Sequence, residues 1–215
     1  ALDRLGIALI SCSNYPFGHF NAYDAIAKDA DVDFVLHTGD YIYEYGTGGY
    51  ATEDAAALGR SLSSDNNTEL LNLSDYRKRY ALYRTDTDLQ SLHAAAPFIA
   101  VWDDHEVAND TWKDGAENHN EGEGDFTERK LAALQAYFEW LPVRPASADD
   151  ELTIYRSFDF GDLVSLHMLD TRIIGRDEQL DYADYTSQSG FDAVGFTADV
   201  SSSSRSLLGQ TQMNW

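Results

Sequence analysis

Short apolar runs that end in polar residues stand out along the first half of this chain. They occupy residues 5–11, 33–37 and 97–102, and each leads directly into a polar cluster. Runs of this length, bounded by turn-forming or charged residues, are typical of buried strands. The sequence therefore predicts three strands with reactive side chains just beyond their carboxyl ends.

Apolar residues at helical spacing predict four helices between and after these strands. The first lies around residues 20–27, and the next two cover residues 75–84 and 87–95. The fourth starts where Asp125 is followed three residues later by Glu128, a pattern similar to a capping box. Its apolar residues recur on one stripe, which predicts a helix that packs on a core.

The second half of the chain predicts a β-hairpin and a second long loop. Apolar runs at residues 154–160 and 163–169 flank a Gly-Asp pair, which is a hairpin signal. Residues 46–72 are rich in Gly, Ser, Thr and Asn, residues 176–205 are polar and rich in serine, and both are expected to be loop insertions. Because strands alternate with helices before the hairpin, we expect residues 1–215 to form one layered α/β domain.

Composition and charge narrow the class of protein. The net charge of -22 and the sequence pI near 4.3 would repel phosphate backbones, so no stable nucleic-acid partner is expected. No apolar stretch approaches the ~20 residues that a spanning helix needs, and no signal peptide is visible. Cys12 is the single cysteine, so it has no disulfide partner within this chain.

Polar side chains follow each predicted strand. Cys12, Asp40 and Asp104 follow the first three strands, and Arg172 follows the second arm of the hairpin. In layered α/β folds, ligands gather at the carboxyl ends of the strands. We therefore expect these four side chains to converge on one edge, although for Asp40 alone an ordinary turn is the simpler interpretation.

Two acidic segments offer the chemistry of a metal centre. The carboxylate of Asp40 can bridge two cations, as in two-metal hydrolysis. Residues 103–106 (Asp-Asp-His-Glu) place three carboxylates beside an imidazole, a charge density that a metal would compensate. One carboxylate can bind a cation while His105 faces a leaving group or phosphate. The alternative is a solvated acidic loop with a capping aspartate.

Three further residues have both a functional and a structural interpretation. The thiolate of Cys12 and the phenolate of Tyr43 together favour a trivalent metal such as iron. Each is otherwise a buried side chain of ordinary type. Arg172 can bind phosphate through its planar fork, or it can form an ion pair with Asp170 or Asp177.

Five sequence segments resemble, in the same order, the motifs of the alkaline phosphatase D (PhoD-like) family. They are residues 11–14 (SCSN), 39–43 (GDYIY), 102–106 (WDDHE) with Asn109, 169–172 (LDTR) and 207–215 with Gln212 and Trp215. The resemblance implies a metallophosphoesterase sandwich of two mixed sheets flanked by helices. It also implies the N-terminal part of a catalytic domain, incomplete at its C-terminus, because such sites take further Asp and His ligands from the second half.

The resemblance also implies a site that holds Fe(III) with one or two Ca(II). Carried over residue by residue, Cys12 and Tyr43 would bind iron, and Asp40 would bridge iron to calcium. Asp104 and Asn109 would serve the calcium side. Related metallophosphoesterases carry Asp-x-His where this chain has Cys-Ser-Asn, and that departure matches the D-type family.

The implied activity is hydrolysis of phosphate mono- and/or diesters by a metal-bound hydroxide, in a secreted or periplasmic protein. His105 would assist the leaving group or contact phosphate, and Arg172 would orient it. The substrates would be small-molecule or lipid phosphate esters, and the protein is expected to be a monomer. The alternatives are a phospholipase D-like phosphodiesterase and a non-catalytic, acidic calcium-binding surface domain, which would have no use for Cys12 and Tyr43.

Overall fold

A computed structural model describes residues 2–145 and 153–215. Its central sheet has three parallel strands in the order β1 (Ile7–Ile10), β2 (Phe34–His37) and β3 (Phe98–Ala100). All three predicted strands are confirmed, each shorter than its apolar run. Since the strands are parallel, the loops that follow β1, β2 and β3 leave the sheet at the same edge.

Four helices flank the sheet. They are α1 (Asn21–Ala27), α2 (Leu73–Tyr83), α3 (Thr87–Ala95) and α4 (Phe126–Trp140). Helix α1 packs against α3, and α2 packs against α4. The Asp125 side chain accepts a hydrogen bond from the Glu128 backbone N–H and so caps α4 as predicted. No helix among residues 2–145 and 153–215 has the length and apolar character needed to cross a membrane.

The core beside this sheet is aromatic. Tyr76, Tyr80 and Tyr83 lie on one side of α2 and are fully buried, and Trp102 packs edge-on against Tyr137 of α4, with ring centroids 5.3 Å apart. Large aromatic side chains bury much apolar area with few rotatable bonds. The segment that follows β3 is therefore held against α4.

A β-hairpin covers another part of the sheet, as predicted. Strands β4 (Arg156–Phe160) and β5 (Val164–Met168) pair antiparallel. The Phe160 ring stacks on Phe34 of β2 with centroids 5.0 Å apart, and Arg156 Nη2 donates to the Ala100 carbonyl at 2.6 Å. The hairpin thereby brings the segment after β5 to the edge where the parallel strands end.

The two predicted loop insertions differ in structure. Residues 46–72 contain turns and bends without a helix or strand, in agreement with the prediction. Residues 176–205 were predicted to be a loop, but they contain a short 3-10 helix, strands β6 (Thr186–Ser187) and β7 (Gly190–Phe191), and helix α5 (Ala193–Val200). Aromatic rings within this segment pack on one another in a cluster whose members are exposed or half-buried. A last helix, α6 (Gly209–Met213), follows them.

Candidate metal centre

The loops that follow the three parallel strands are in direct contact. The Cys12 backbone N–H donates to the Gly39 carbonyl at 3.2 Å, and the Ser13 N–H donates to the Asp40 carbonyl at 3.3 Å. Gly39 has a φ of +109°, and a Cβ on it would lie 2.2 Å from the Asp103 nitrogen. Only glycine lets the second and third loops approach this closely.

Asp40 is the meeting point of the first two loops. Its Oδ2 accepts from Cys12 Sγ at 3.3 Å and from the Tyr43 hydroxyl at 3.4 Å. Its Oδ1 is buried and has no hydrogen-bond partner among the described residues. Cys12 and Asp40 also both have left-handed backbones, with φ of 57° and 56°. Strained backbones and an orphaned buried oxygen cluster at functional sites, so this arrangement fits a cation-binding group.

The third loop adds Asp104 and His105 to this site. Asp40, Asp104 and His105 are buried, and one potential ligand atom from each lies within 4.8 Å of the others. Burial raises the pKa of Asp40, and the neighbouring Asp104 and Asp103 carboxylates raise it further, although the charge of His105 opposes this. A cation would reverse this balance because it stabilises the ionised carboxylates.

Burial and nearby negative charge also affect the protonation of Cys12 and Tyr43. Burial raises the pKa of both groups, and the nearby Asp40 carboxylate raises it further. In the absence of a cation both groups therefore keep their protons at neutral pH. Binding of a metal would release these protons, because thiolate and phenolate are the forms that coordinate.

Glu106, the last residue of the Asp-Asp-His-Glu segment, connects the loops after β2 and β3 through hydrogen bonds. Its carboxylate is fully buried and accepts from the backbone N–H groups of Asp40 at 3.1 Å, Tyr41 at 2.5 Å and Asp103 at 2.8 Å. Burial and the charge of Asp40 raise the pKa of Glu106 to about 8, although these hydrogen bonds oppose the rise. The sequence places Glu106 in the acidic cluster, but only the structure shows that it joins the second loop to the third.

His105 is held by a residue that sequence reasoning missed. Its Nδ1 lies 2.8 Å from Glu44 Oε2, and its ring stacks on Tyr43 with centroids 4.2 Å apart. Burial lowers the pKa of His105, but the Glu44 hydrogen bond and charge outweigh burial and raise it to about 9. The only sequence signal for Glu44 is its position directly after the second motif.

Arg172 arrives from the hairpin side, as expected for a residue after β5. Its Nε donates to Asp103 Oδ1 at 2.6 Å, and its Nη2 lies 3.3 Å from Asp104 Oδ1. Its Nη1 is buried without a hydrogen-bond partner among the described residues. The alternative ion pairs with Asp170 and Asp177 are wrong: Asp170 accepts backbone N–H groups, including that of Arg172 itself, and Asp177 pairs with Lys113 at 2.5 Å.

Asn109 lies at the edge of this site. Its backbone N–H donates to Glu44 Oε1 at 2.7 Å, and its side-chain Nδ2 donates to Glu117 at 3.0 Å. This leaves the amide oxygen as the Asn109 atom that can bind a cation. The structure thus brings the Cys12 thiol and the Tyr43 hydroxyl to the Asp40 carboxylate. The contacts of Asn109 are to Glu44 and Glu117.

Comparisons with known proteins identify the family. A family model for PhoD-like phosphatases matches residues 7–215. Alkaline phosphatase D of Bacillus subtilis (strain 168) is 37% identical over 217 residues, which cover 100% of this chain and 34% of that protein. A solved structure described as "Structure of PhoD" matches with a TM-score of 0.74 and 35% identity, covering 97% of this chain and 37% of that one.

These matches agree with the motifs and with the geometry. They confirm the α/β fold class and the resemblance that the five ordered motifs indicated. The chain spans about a third of the length of the relatives it matches. Since the family model covers nearly the whole sequence, the chain belongs to the PhoD-like phosphatase family.

Proposed function

We propose that this protein hydrolyses phosphate mono- and/or diesters at a centre that holds Fe(III) and Ca(II). The observation that carries the proposal is the convergence of a thiol and a phenol on one oxygen of Asp40. The other Asp40 oxygen is buried and has no hydrogen-bond partner in the part of the chain that the structure describes. Family membership supports the reaction class, since the relative in Bacillus subtilis is an alkaline phosphatase D.

The donor set fits the two kinds of cation. Cys12 and Tyr43 would offer the thiolate and phenolate that suit iron, and the Asp40 carboxylate would serve both ions. Asp104 and the Asn109 amide offer hard oxygen ligands that suit calcium. When bound, such cations lower the pKa of water and neutralise charge that develops on phosphoryl oxygens.

His105 and Arg172 act on the substrate in this proposal. Glu44 occupies the Nδ1 side of the His105 ring, so Nε2 is the atom available to protonate a leaving-group oxygen. Arg172 is fixed by Asp103 and Asp104. Its Nη1 lies 3.6 Å from Asp110 Oδ1 but has no hydrogen-bond partner among the described residues, so it can donate to a phosphoryl oxygen. A strongly acidic protein needs such cationic groups at its site to attract an anionic ester.

The proposal is tested by metal analysis, a visible absorption spectrum and turnover on the full-length gene product. We expect iron and calcium, a charge-transfer band from thiolate or phenolate bound to Fe(III), and hydrolysis of p-nitrophenyl phosphate or bis-p-nitrophenyl phosphate that chelation abolishes. Calcium alone, in a colourless and inactive protein, would favour a non-catalytic calcium-binding domain. Activity on phosphatidylcholine vesicles and neither chromogenic ester would favour the phospholipase D-like alternative.

The natural substrates and the location belong to the same proposal. We expect small-molecule or lipid phosphate esters as substrates, and a secreted or periplasmic monomer. The acidic composition, with a net charge of -22, supports a saline or calcium-rich medium and opposes binding to nucleic acids. Cell fractionation and size-exclusion chromatography of the native protein test the location and the oligomeric state.

A further inference from the structure

Glu44 is a buried carboxylate with three hydrogen-bond donors around it. It follows the second motif directly and has no exposed surface. Its Oε2 lies 2.8 Å from His105 Nδ1, while its Oε1 accepts from the Asn109 backbone N–H at 2.7 Å and from Asn118 Nδ2 at 2.8 Å. A buried ionised carboxylate is stable only when donors of this kind surround it.

The three donors all come from the connection between β3 and α4, so Glu44 joins the loop after β2 to this connection. His105 belongs to the loop after β3, and Asn118 lies in the acidic segment before α4. Because both oxygens of an ionised carboxylate only accept hydrogen bonds, the His105 atom facing Oε2 must carry a proton. The imidazole therefore has Nδ1–H on the Glu44 side and Nε2 on the opposite edge of the ring.

The His105 ring is also fixed from its faces. Tyr43 stacks against it with centroids 4.2 Å apart and planes inclined by 29°, and Tyr45 lies 5.7 Å away. Stacking fixes the plane of the ring, but it does not decide which edge points toward Asp40 and Asp104. The hydrogen bond to Glu44 makes that choice, since a flipped ring would leave a buried carboxylate oxygen without this donor.

We propose that Glu44 is a positioning residue that keeps the proton on His105 Nδ1 and turns Nε2 toward the group formed by Asp40 and Asp104. The role in turnover rests on the proposed phosphoesterase function, whereas the protonation state of Nδ1 does not. In metal sites, a carboxylate behind a histidine fixes the tautomer and the ring orientation in the same way.

Replacement of Glu44 by glutamine gives a sharp test because the two oxygens have different partners. Oε1 serves two donors and Oε2 serves one. The glutamine is therefore best satisfied with its carbonyl oxygen at the Oε1 position and its amide nitrogen facing His105. An amide nitrogen there is a donor, so His105 must offer an unprotonated Nδ1 and move its proton to Nε2.

The experiment combines nitrogen-15 NMR of the histidine rings, recorded with diamagnetic Ga(III) in place of any Fe(III), with steady-state kinetics on the full-length gene product. His105→Asn identifies the His105 ring signals, and Glu139→Gln is the matched control, since Glu139 pairs with Arg77 on the outer surface of α4. We expect a protonated Nδ1 in the wild-type protein and in Glu139→Gln, and an unprotonated Nδ1 in Glu44→Gln. We also expect kcat to fall roughly 10- to 100-fold in Glu44→Gln, with KM changed little.

Two results would overturn the proposal. One is an unprotonated Nδ1 in the wild-type protein, a measurement that does not depend on whether the variant folds. The other is a folded Glu44→Gln protein whose Nδ1 stays protonated or whose kcat equals that of the wild type. Absence of phosphoesterase activity in the wild type, together with a protonated Nδ1, would refute the proposed function and leave the positioning of His105 intact.

Discussion

At the scale of single residues, the site concentrates groups that are unstable without partners. Asp40 has a left-handed backbone, a buried position and an oxygen without a hydrogen-bond partner in residues 2–145 and 153–215. Each of these features raises the free energy of the folded chain when no cation is present. A bound cation offsets the unpaired oxygen and the charge repulsion, which makes metal content the natural measure of a change at Asp40.

Asp40→Asn isolates the charge of this residue. Asparagine tolerates the left-handed backbone and keeps an oxygen for Cys12 and Tyr43, but a neutral amide cannot bridge two cations. We expect loss of iron and a fall in turnover beyond the ~100-fold that outer partners of a metal typically contribute. Elemental analysis and kinetics check this, with exposed Asp29→Asn as the control. An Asp40→Asn protein that keeps iron and full turnover contradicts the bridging role.

Arg172→Lys tests whether the planar guanidinium group of Arg172 is needed at the site. Arg172 reaches Asp103, Asp104 and Asp110 with three different nitrogens, which a single ammonium group cannot reproduce. Losing one or more charge-assisted hydrogen bonds, each worth about 1.5–3 kcal/mol, should lower kcat/KM at least tenfold. Iron content should stay unchanged. Loss of iron parallel to the loss of rate would instead assign Arg172 a role in holding the metal ligands.

At the scale of elements, the site depends on how closely the loops after the strands approach one another. The loop after β2 crosses the loop after β3 at Gly39, and the Glu106 carboxylate ties both loops through backbone N–H groups. Parallel strands bring these loops to one edge, but the short contacts between them set the final geometry.

Gly39→Ala and Gly48→Ala separate close approach from backbone strain. Both glycines have positive φ, +109° at Gly39 and +88° at Gly48, so either alanine meets a strained backbone. Only at Gly39 does the added Cβ collide with backbone, 2.2 Å from the Asp103 nitrogen. We expect Gly48→Ala to lose about 1–2 kcal/mol and Gly39→Ala to lose clearly more, by urea denaturation. Equal losses would show that the loops can separate freely.

At the scale of the whole molecule, the acidic chain also keeps a half-buried histidine neutral. His93 lies between Arg84, Tyr41 and the Phe98 ring, which stacks on it with centroids 3.9 Å apart. Burial, and then the charge of Arg84, lower the pKa of His93 to about 4. Protonation of this ring in the folded protein is therefore opposed by both the core and its nearest cation.

His93→Gln is expected to make the free energy of unfolding depend less on pH between pH 7 and 4. An unfolded histidine titrates near pH 6.5, so between about 6.5 and 4 only the unfolded chain binds this proton. The contribution of His93 to the free energy of unfolding is complete above that window. It declines as the pH falls through the window, by up to about 1.4 kcal/mol per pH unit. Urea denaturation from pH 7 to 4 measures the difference between wild type and variant, with exposed His19→Gln as the control. Parallel curves for wild type and His93→Gln refute the assignment.

The sequence by itself determined β1 to β5, α1 to α4 and most residues around Asp40. Local hydrophobic periodicity is set by neighbouring residues, and motifs after parallel strands must meet at one edge. Cys12, Asp40, Tyr43, Asp104, His105 and Arg172 could therefore be named before any coordinates were known. The elements within residues 176–205 were missed because they rest on caps and aromatic contacts without an apolar period.

Only the tertiary structure decided which partner each charged group has. Glu44 meets His105 across 61 positions of sequence, and Glu106 meets the Asp40 N–H across 66. The partners of Arg172 lie in the loop after β3, whereas its sequence neighbours Asp170 and Asp177 bind elsewhere. Such pairings require packed loops to be positioned to within a few tenths of an ångström, and no local pattern of residues encodes that positioning.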